Sequence, residues 1–216
     1  MRTLEETLAS IGEHIRLREE EDQPFVPDEP GKDARAELEA LYARKGILPI
    51  FWDEYWDTWE ADTPEKRKAL DIVKNKAWET NLFLCGRSGT GKSHLAACLA
   101  KDGAVYRELP SIFREVRMDF KAEQDVIDFH GTVDLLVLDE VCRQKFTPFE
   151  KDLFLEIVNK RWGHKKPTTL ITNQDEENFS AEYGTAVLDR LRPLVVRFDW
   201  DSRRKRLDLG KGRGTQ

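Results

Sequence analysis

Nowhere does this sequence hold the run of about 18 apolar residues that a membrane-crossing helix requires, and its mean hydropathy is −0.63. No basic stretch followed by an apolar run opens it, which reads against a signal peptide. Cysteine is scarce, with Cys85, Cys98 and Cys142 the only three. They are odd in number, widely spaced and set in apolar segments. That argues against a disulfide framework or a zinc knuckle and predicts reduced, mostly buried thiols in the cytoplasm. No internal repeat is visible. What is present is 216 residues carrying 35 basic and 41 acidic side chains, a net charge of −6. That length suits one domain with a sizeable core and a short appendage.

The charge is unevenly spread. Residues 1–33 hold ten acids against four bases, and residues 202–216 hold six bases against one acid. Leu4, Leu8, Ile11 and Ile15 recur at helical spacing, which predicts an amphipathic helix of about four turns. The acidic stretch from Glu19 to Lys32 contains three prolines and reads as a linker. A lone short helix is marginal in water, so this one must dock, on its own domain or on a partner that the linker lets it reach. A second helix is expected over 33–45, stopped by Gly46. Trp52, Trp56 and Trp59, beside Phe51 and Tyr55, fall on one helical face and read as core rather than as a ligand box. Thr63-Pro64-Glu65 marks a helix start, continuing to about Glu79.

From Asn81 onward apolar strands alternate with helices. Strands are expected at Leu82–Cys85, Ala104–Glu108, Asp134–Leu138, Thr168–Thr172 and Leu194–Phe198. Helices are expected from Lys92, over Pro110–Glu123, Gln124–Phe129 and Pro148–Trp162, and around Thr185–Arg192. Such alternation predicts an α/β fold, a parallel sheet flanked by helices on both faces.

The segment Gly86-Arg87-Ser88-Gly89-Thr90-Gly91-Lys92-Ser93 matches G-x-x-x-x-G-K-[ST] in full and lies between an apolar strand and a helix. Glycines let such a loop curl until its N–H groups point at phosphate oxygens, and the following helix offers its N-terminus to the anion. Lys92 adds charge at the β/γ phosphates, and the Ser93 hydroxyl suits Mg²⁺. Nucleotide contact is therefore expected over Gly86–Ser93 and on to His94. The strand at 134–138 runs into Asp139 and Glu140. That pair divides the labour, Asp139 for Mg²⁺ and Glu140 as base toward the attacking water. Asn173, at the tip of the Thr168–Thr172 strand, can bond that water and the γ-phosphate. Arg190, in Leu188-Asp189-Arg190-Leu191, can stabilise charge in a neighbouring subunit's site.

This order of phosphate loop, Asp-Glu strand, Thr-Asn tip, Leu-Asp-Arg-Leu and final strand resembles the AAA+ ATPases. More narrowly, it resembles the DnaC-like helicase loaders and the IstB-type transposition ATPases. Asn81–Ala97, Asp134–Ile157 and 170–207 carry the resemblance, which spans about 47–207. It implies a P-loop AAA+ fold, a five-stranded parallel sheet with little or no helical lid. It also implies Asn173 as first sensor, Arg190 as the finger acting in trans, and Arg204 as second sensor, with Arg203 and Arg206 as alternatives. The organisation expected is a partner-binding helix and linker at 1–33, a helical lead-in at 34–80, an ATPase core at 81–207 and a basic tail at 208–216. Helices between 105 and 134 touch single-stranded DNA in such loaders. Here Arg107, Arg114, Arg117 and Lys121 with Phe113 and Phe120 could form that surface, or be a merely solvated face.

The function expected is therefore a slow ATPase, stimulated by assembly or DNA, that binds a hexameric replicative helicase and single-stranded DNA, self-assembles with ATP and Mg²⁺, and releases the helicase on hydrolysis. The alternative is a transposition helper that binds duplex DNA and a transposase. A small-molecule P-loop kinase is opposed by Glu140, Asn173 and Arg190. A non-hydrolysing ATP switch is opposed by the complete catalytic set.

Overall fold

Side-chain caps set three of the described α-helix starts, at Thr63, Thr147 and Asp175. Thr63 accepts a hydrogen bond from the Lys66 N–H, with Pro64 in the first helical turn, and Thr147 forms a reciprocal box with Glu150. These side chains satisfy N–H groups that a helix start leaves without partners. The computed structural model describes residues 32–142 and 145–202. The leucine- and isoleucine-spaced helix and acidic linker expected within 1–31, and Arg203, Arg204, Arg206 and the basic tail, lie outside the described residues. The chain divides into two compact units, 1–37 and 38–216. Of the first, only 32–37 is described, as the opening of helix α1 (Lys32–Arg44).

The second unit continues with α2 (Pro64–Lys76), β1 (Leu82–Gly86), α3 (Lys92–Lys101), β2 (Val105–Glu108), α4 (Leu109–Met118) and α5 (Glu123–Thr132). It ends with β3 (Leu136–Val141), α6 (Pro148–Gly163), β4 (Thr168–Thr172), α7 (Glu176–Tyr183), α8 (Ala186–Leu191) and β5 (Leu194–Phe198). The five strands are all parallel and lie in the order β2-β3-β4-β1-β5. Parallel neighbours require crossover connections, and helices supply them. Because strand side chains alternate, Phe83 and Cys85 join α4, α5, α6, α7 and α8 on one face. Leu82 and Leu84 join α2 and α3 on the other. The fold is the expected three-layer α/β arrangement.

Several boundaries differ from expectation for identifiable reasons. Strand β3 runs on through Asp139 and Glu140 to Val141, with a register shift against β4 between Leu138 and Val141. The helix expected over Pro110–Glu123 stops at Met118, because Asp119 is extended (φ −145°) and its side chain accepts from the Lys121 N–H to start a 3₁₀ turn. Helix α7 was not expected. Only Phe179 and Tyr183 are buried on it, too few apolar positions for a visible period. The tryptophans do not share a helical face, since 52–63 holds only turns, bends and irregular chain. They are nonetheless core: Trp59 is buried, with Trp52 and Trp56 packed against the same cluster. The three cysteines are free, and burial raises Cys85 to about 11 and Cys98 to about 12, so both stay protonated.

Two polar residues hold the amino-terminal end of the sheet. Asn81 accepts from the Thr168 N–H (2.8 Å) and donates to the Leu191 carbonyl (2.6 Å), while its own carbonyl accepts from Leu194 N–H (2.8 Å). Arg161, on α6, is wholly buried. It donates to the Thr168 hydroxyl (2.8 Å) and to the carbonyls of His130 (2.7 Å), Val133 (3.0 Å) and Pro167 (2.5 Å). Burial lowers its pKa to about 10, so it remains a cation at neutral pH. It supplies donors to carbonyls at the end of α5, which has no further turn to bond them. Lysine keeps the charge but not the fork. Arg161→Lys should therefore cost about 2–4 kcal/mol, from two or more charged hydrogen bonds lost in a buried site, read as a lower urea midpoint with unchanged slope.

Candidate nucleotide-binding site

The phosphate loop begins where β1 ends. Gly86 has φ +138°, and a Cβ there would lie 2.5 Å from the Phe198 carbonyl oxygen of the neighbouring strand. Gly91 has φ +98°, and a Cβ there would lie 2.2 Å from the Trp59 ring. Both positions need a residue without a side chain. Between them the Thr90 hydroxyl donates to Arg87 O (2.9 Å) and Trp200 Nε1 donates to Thr90 O (2.9 Å). Lys92 is buried, with Nζ donating to the carbonyls of Gly86 (2.7 Å) and Arg87 (2.8 Å). The loop is thus curled around its own lysine, and Gly91 caps α3.

A cavity of about 490 Å³ opens above this loop. Ser88, Gly89 and Gly91 to His94 line it, together with Asp139 and Glu140 from β3 and Thr172 and Asn173 from the end of β4. The strand order brings them together: β4 lies between β1 and β3, so three adjacent carboxyl ends meet at one rim, where ligands of open α/β sheets bind. Within it the Ser93 hydroxyl donates to Asp139 Oδ2 (2.7 Å), and the Glu140 N–H donates to Asp139 Oδ1 (2.7 Å). Glu140 has φ +56° and sits at the register shift of β3. Such a bulge re-aims a side chain, here one that reaches the cavity. Ser93 and Asp139 are hard oxygen donors side by side, a set that fits Mg²⁺.

Not every expected residue faces the cavity in the same way. Arg87 is exposed and Thr90 is buried behind the loop. His94 is part of the wall. Its Nδ1 is 2.5 Å from Glu54 Oε2 and its Nε2 is 2.8 Å from the Tyr55 carbonyl. Asn173 is exposed at the rim. Arg190, on α8, is not among the lining residues; it is half-buried and donates to Ala186 O (3.1 Å). On α4, Phe113 is fully buried, edge-on to Phe146. Leu109, Ile112, Phe113 and Val116 form the buried stripe of that helix, so Phe113 has no face for a base. Arg107 and Arg117 face Glu115 (4.0 Å) and Glu150 (3.3 Å), while Arg114, Phe120 and Lys121 remain exposed.

Three groups escaped the sequence reading. The segment 47–61 forms a wall of the cavity through Ile50, Phe51, Glu54 and Glu60. Lys101 holds it by donating to the carbonyls of Phe51, Trp52 and Glu54 (3.1, 2.8 and 2.5 Å). Tyr106, buried on β2, donates from its hydroxyl to Asp139 Oδ2 (3.0 Å). Trp200 reaches back to the loop. The one available signal was the density of aromatics near the loop; nothing in the sequence paired Tyr106 with Asp139.

Comparisons with known proteins agree with this fold. A family model described as "IstB-like ATP binding protein" matches residues 58–209. The replicative helicase loader DnaC of Escherichia coli K12 is 27% identical over 188 residues, covering 79% of this chain and 77% of the loader. The DnaC of Buchnera aphidicola subsp. Acyrthosiphon pisum is 26% identical, covering 78% and 76%. Among solved structures, that of DnaI aligns with a TM-score of 0.62 at 20% identity, covering 73% of this chain and 95% of that one. A DnaC helicase loader aligns at 0.59 and 21%, covering 69% and 99%. AMPPCP-bound DnaA from Aquifex aeolicus aligns at 0.59 and 20%, covering 69% and 50%. The fold is that of the P-loop AAA+ proteins, and the chain belongs to the IstB-like ATP binding protein family.

Proposed function

We propose that this protein is an ATPase that loads a replicative DNA helicase onto single-stranded DNA in the cytoplasm. The observation that carries this reading is the convergence of Lys92, Ser93, Asp139, Glu140 and Asn173 on one cavity at the carboxyl ends of β1, β3 and β4. Support for a loader, rather than a transposition helper, comes from the DnaC proteins among its curated relatives.

ATP is held with its phosphates against the Gly86–Ser93 turn and the N-terminus of α3, where backbone N–H groups and Lys92 favour anionic oxygens. Ser93 and Asp139 would hold Mg²⁺, which shields the phosphate charge and polarises the γ-phosphoryl group. Glu140 accepts a proton from a water as the water oxygen bonds to the γ-phosphorus. The bond from phosphorus to the bridging oxygen breaks, and ADP carries away the electron pair. Asn173 orients the water. Arg190 serves the site of a neighbouring copy in an ATP-dependent assembly, and Arg204, or its near neighbour Arg203 or Arg206, contacts nucleotide within the same subunit. Residues 1–33 reach the helicase, and Arg114, Phe120 and Lys121 face the DNA strand.

Size-exclusion chromatography with light scattering, on the protein mixed with a hexameric replicative helicase with and without ATP, tests the reading. A stable complex is expected. Its absence in both conditions overturns the loader assignment. Removing residues 1–33 should abolish that complex and leave nucleotide affinity unchanged. Glu140→Gln should bind ATP normally and hydrolyse it about 10²–10⁴-fold more slowly, the usual worth of a general base, as measured by phosphate release. Arg190→Ala should bind ATP yet turn it over poorly. Mixing it with Lys92→Ala protein should recover part of the activity, because one mixed junction pairs an intact loop with an intact arginine.

A further inference from the structure

We infer that Tyr106 is a positioning residue for the metal site, holding the Asp139 carboxylate in the orientation that magnesium binding needs. This rests on the reading of the cavity as a site for ATP with Mg²⁺. Asp139 is buried, and three donors converge on it. The Ser93 hydroxyl (2.7 Å) and the Tyr106 hydroxyl (3.0 Å) both reach Oδ2, and the Glu140 N–H (2.7 Å) reaches Oδ1. Two of these belong to groups that the chemistry itself uses. Ser93 would also offer its oxygen to the metal, and Glu140 would meet the attacking water. Tyr106 comes from β2, outside the phosphate loop, and is not among the residues that line the cavity.

The phenol is well placed for this task. Strand β2 pairs with β3, with Tyr106 opposite Val137 and Glu108 opposite Asp139. The ring is buried in the cluster that also contains α3 and Ile47. The turn at Gly46 closes on its backbone, where a Cβ at Gly46 would lie 3.0 Å from the Tyr106 carbonyl oxygen. The ring therefore has little room to move. A buried hydroxyl without a partner is costly. Its presence here has a defined recipient, and phenylalanine would fill the same volume without reaching it. Loss of an outer-shell partner to a metal-ligating carboxylate typically weakens metal affinity about 10–100-fold.

The test is equilibrium binding of a fluorescent ATP analogue to wild-type protein and to Tyr106→Phe, titrated with MgCl₂ and repeated in EDTA. Circular dichroism confirms that both are folded. The ring and two of the three donors to Asp139 are retained, so the variant should fold. We expect the half-saturating magnesium concentration to rise about tenfold, with the affinity in EDTA unchanged. An unchanged magnesium midpoint overturns the inference. So does an equal loss of affinity in EDTA, which would make Tyr106 a packing residue only. A wild-type affinity that ignores magnesium would overturn the nucleotide-site reading itself, a result distinct from the other two.

Discussion

The nucleotide cavity depends on β1 occupying the slot between β4 and β5. Asn81 fixes that slot at the amino-terminal end of the sheet, where its side chain bonds the Thr168 N–H and the Leu191 carbonyl and its carbonyl bonds the Leu194 N–H. With β1 seated there, its carboxyl end is one strand away from the tip of β4 and two from the end of β3. Every reactive group in the cavity is then within one rim. In a slot farther from β3 the same motifs would be moved apart by about 4.8 Å for each further strand between them.

The loop itself is held from behind as much as by its glycines. Trp59 fills the space that any side chain at residue 91 would need, and Trp200 bonds the Thr90 carbonyl. Trp59 also stands edge-on to His94, Phe198 and Trp200. An irregular segment can act as a wall here because α3 supplies the donors its carbonyls need, through Lys101, and bonds Glu54 and Tyr55 through His94. Buried backbone acceptors require such partners. The tryptophans therefore serve as packing around the loop, in positions that a helical wheel does not reproduce.

Much of the site was legible because its chemistry is local. Gly86 to Ser93 must be contiguous to curl around a phosphate, and Asp139 and Glu140 must follow an apolar strand to stand at its end. The sheet was legible because buried strands read as short apolar runs, as Leu82–Gly86 and Thr168–Thr172 did, and because the partly buried edge strand Leu194–Phe198 keeps its own short apolar run. Helix α7 was not, since two buried aromatics give no period. Of the two rings offered for a stacking surface, Phe113 falls on the buried stripe of α4 and Phe120 is exposed. The helix ends at Met118, so one ring went into the core and the other to solvent.

By itself the sequence determined the phosphate loop, the acidic pair, the polar tip at Asn173 and the alternation that makes a parallel α/β sheet, because each is set by neighbours within a few residues. Only the tertiary structure decided that β4 lies between β1 and β3, that the Trp52–Trp59 segment forms a wall without being a helix, and that Tyr106 meets Asp139. Those arrangements depend on which strand edges pair and which faces bury together across 30 or more residues, a choice made by the packing of the whole core, which no local spacing encodes.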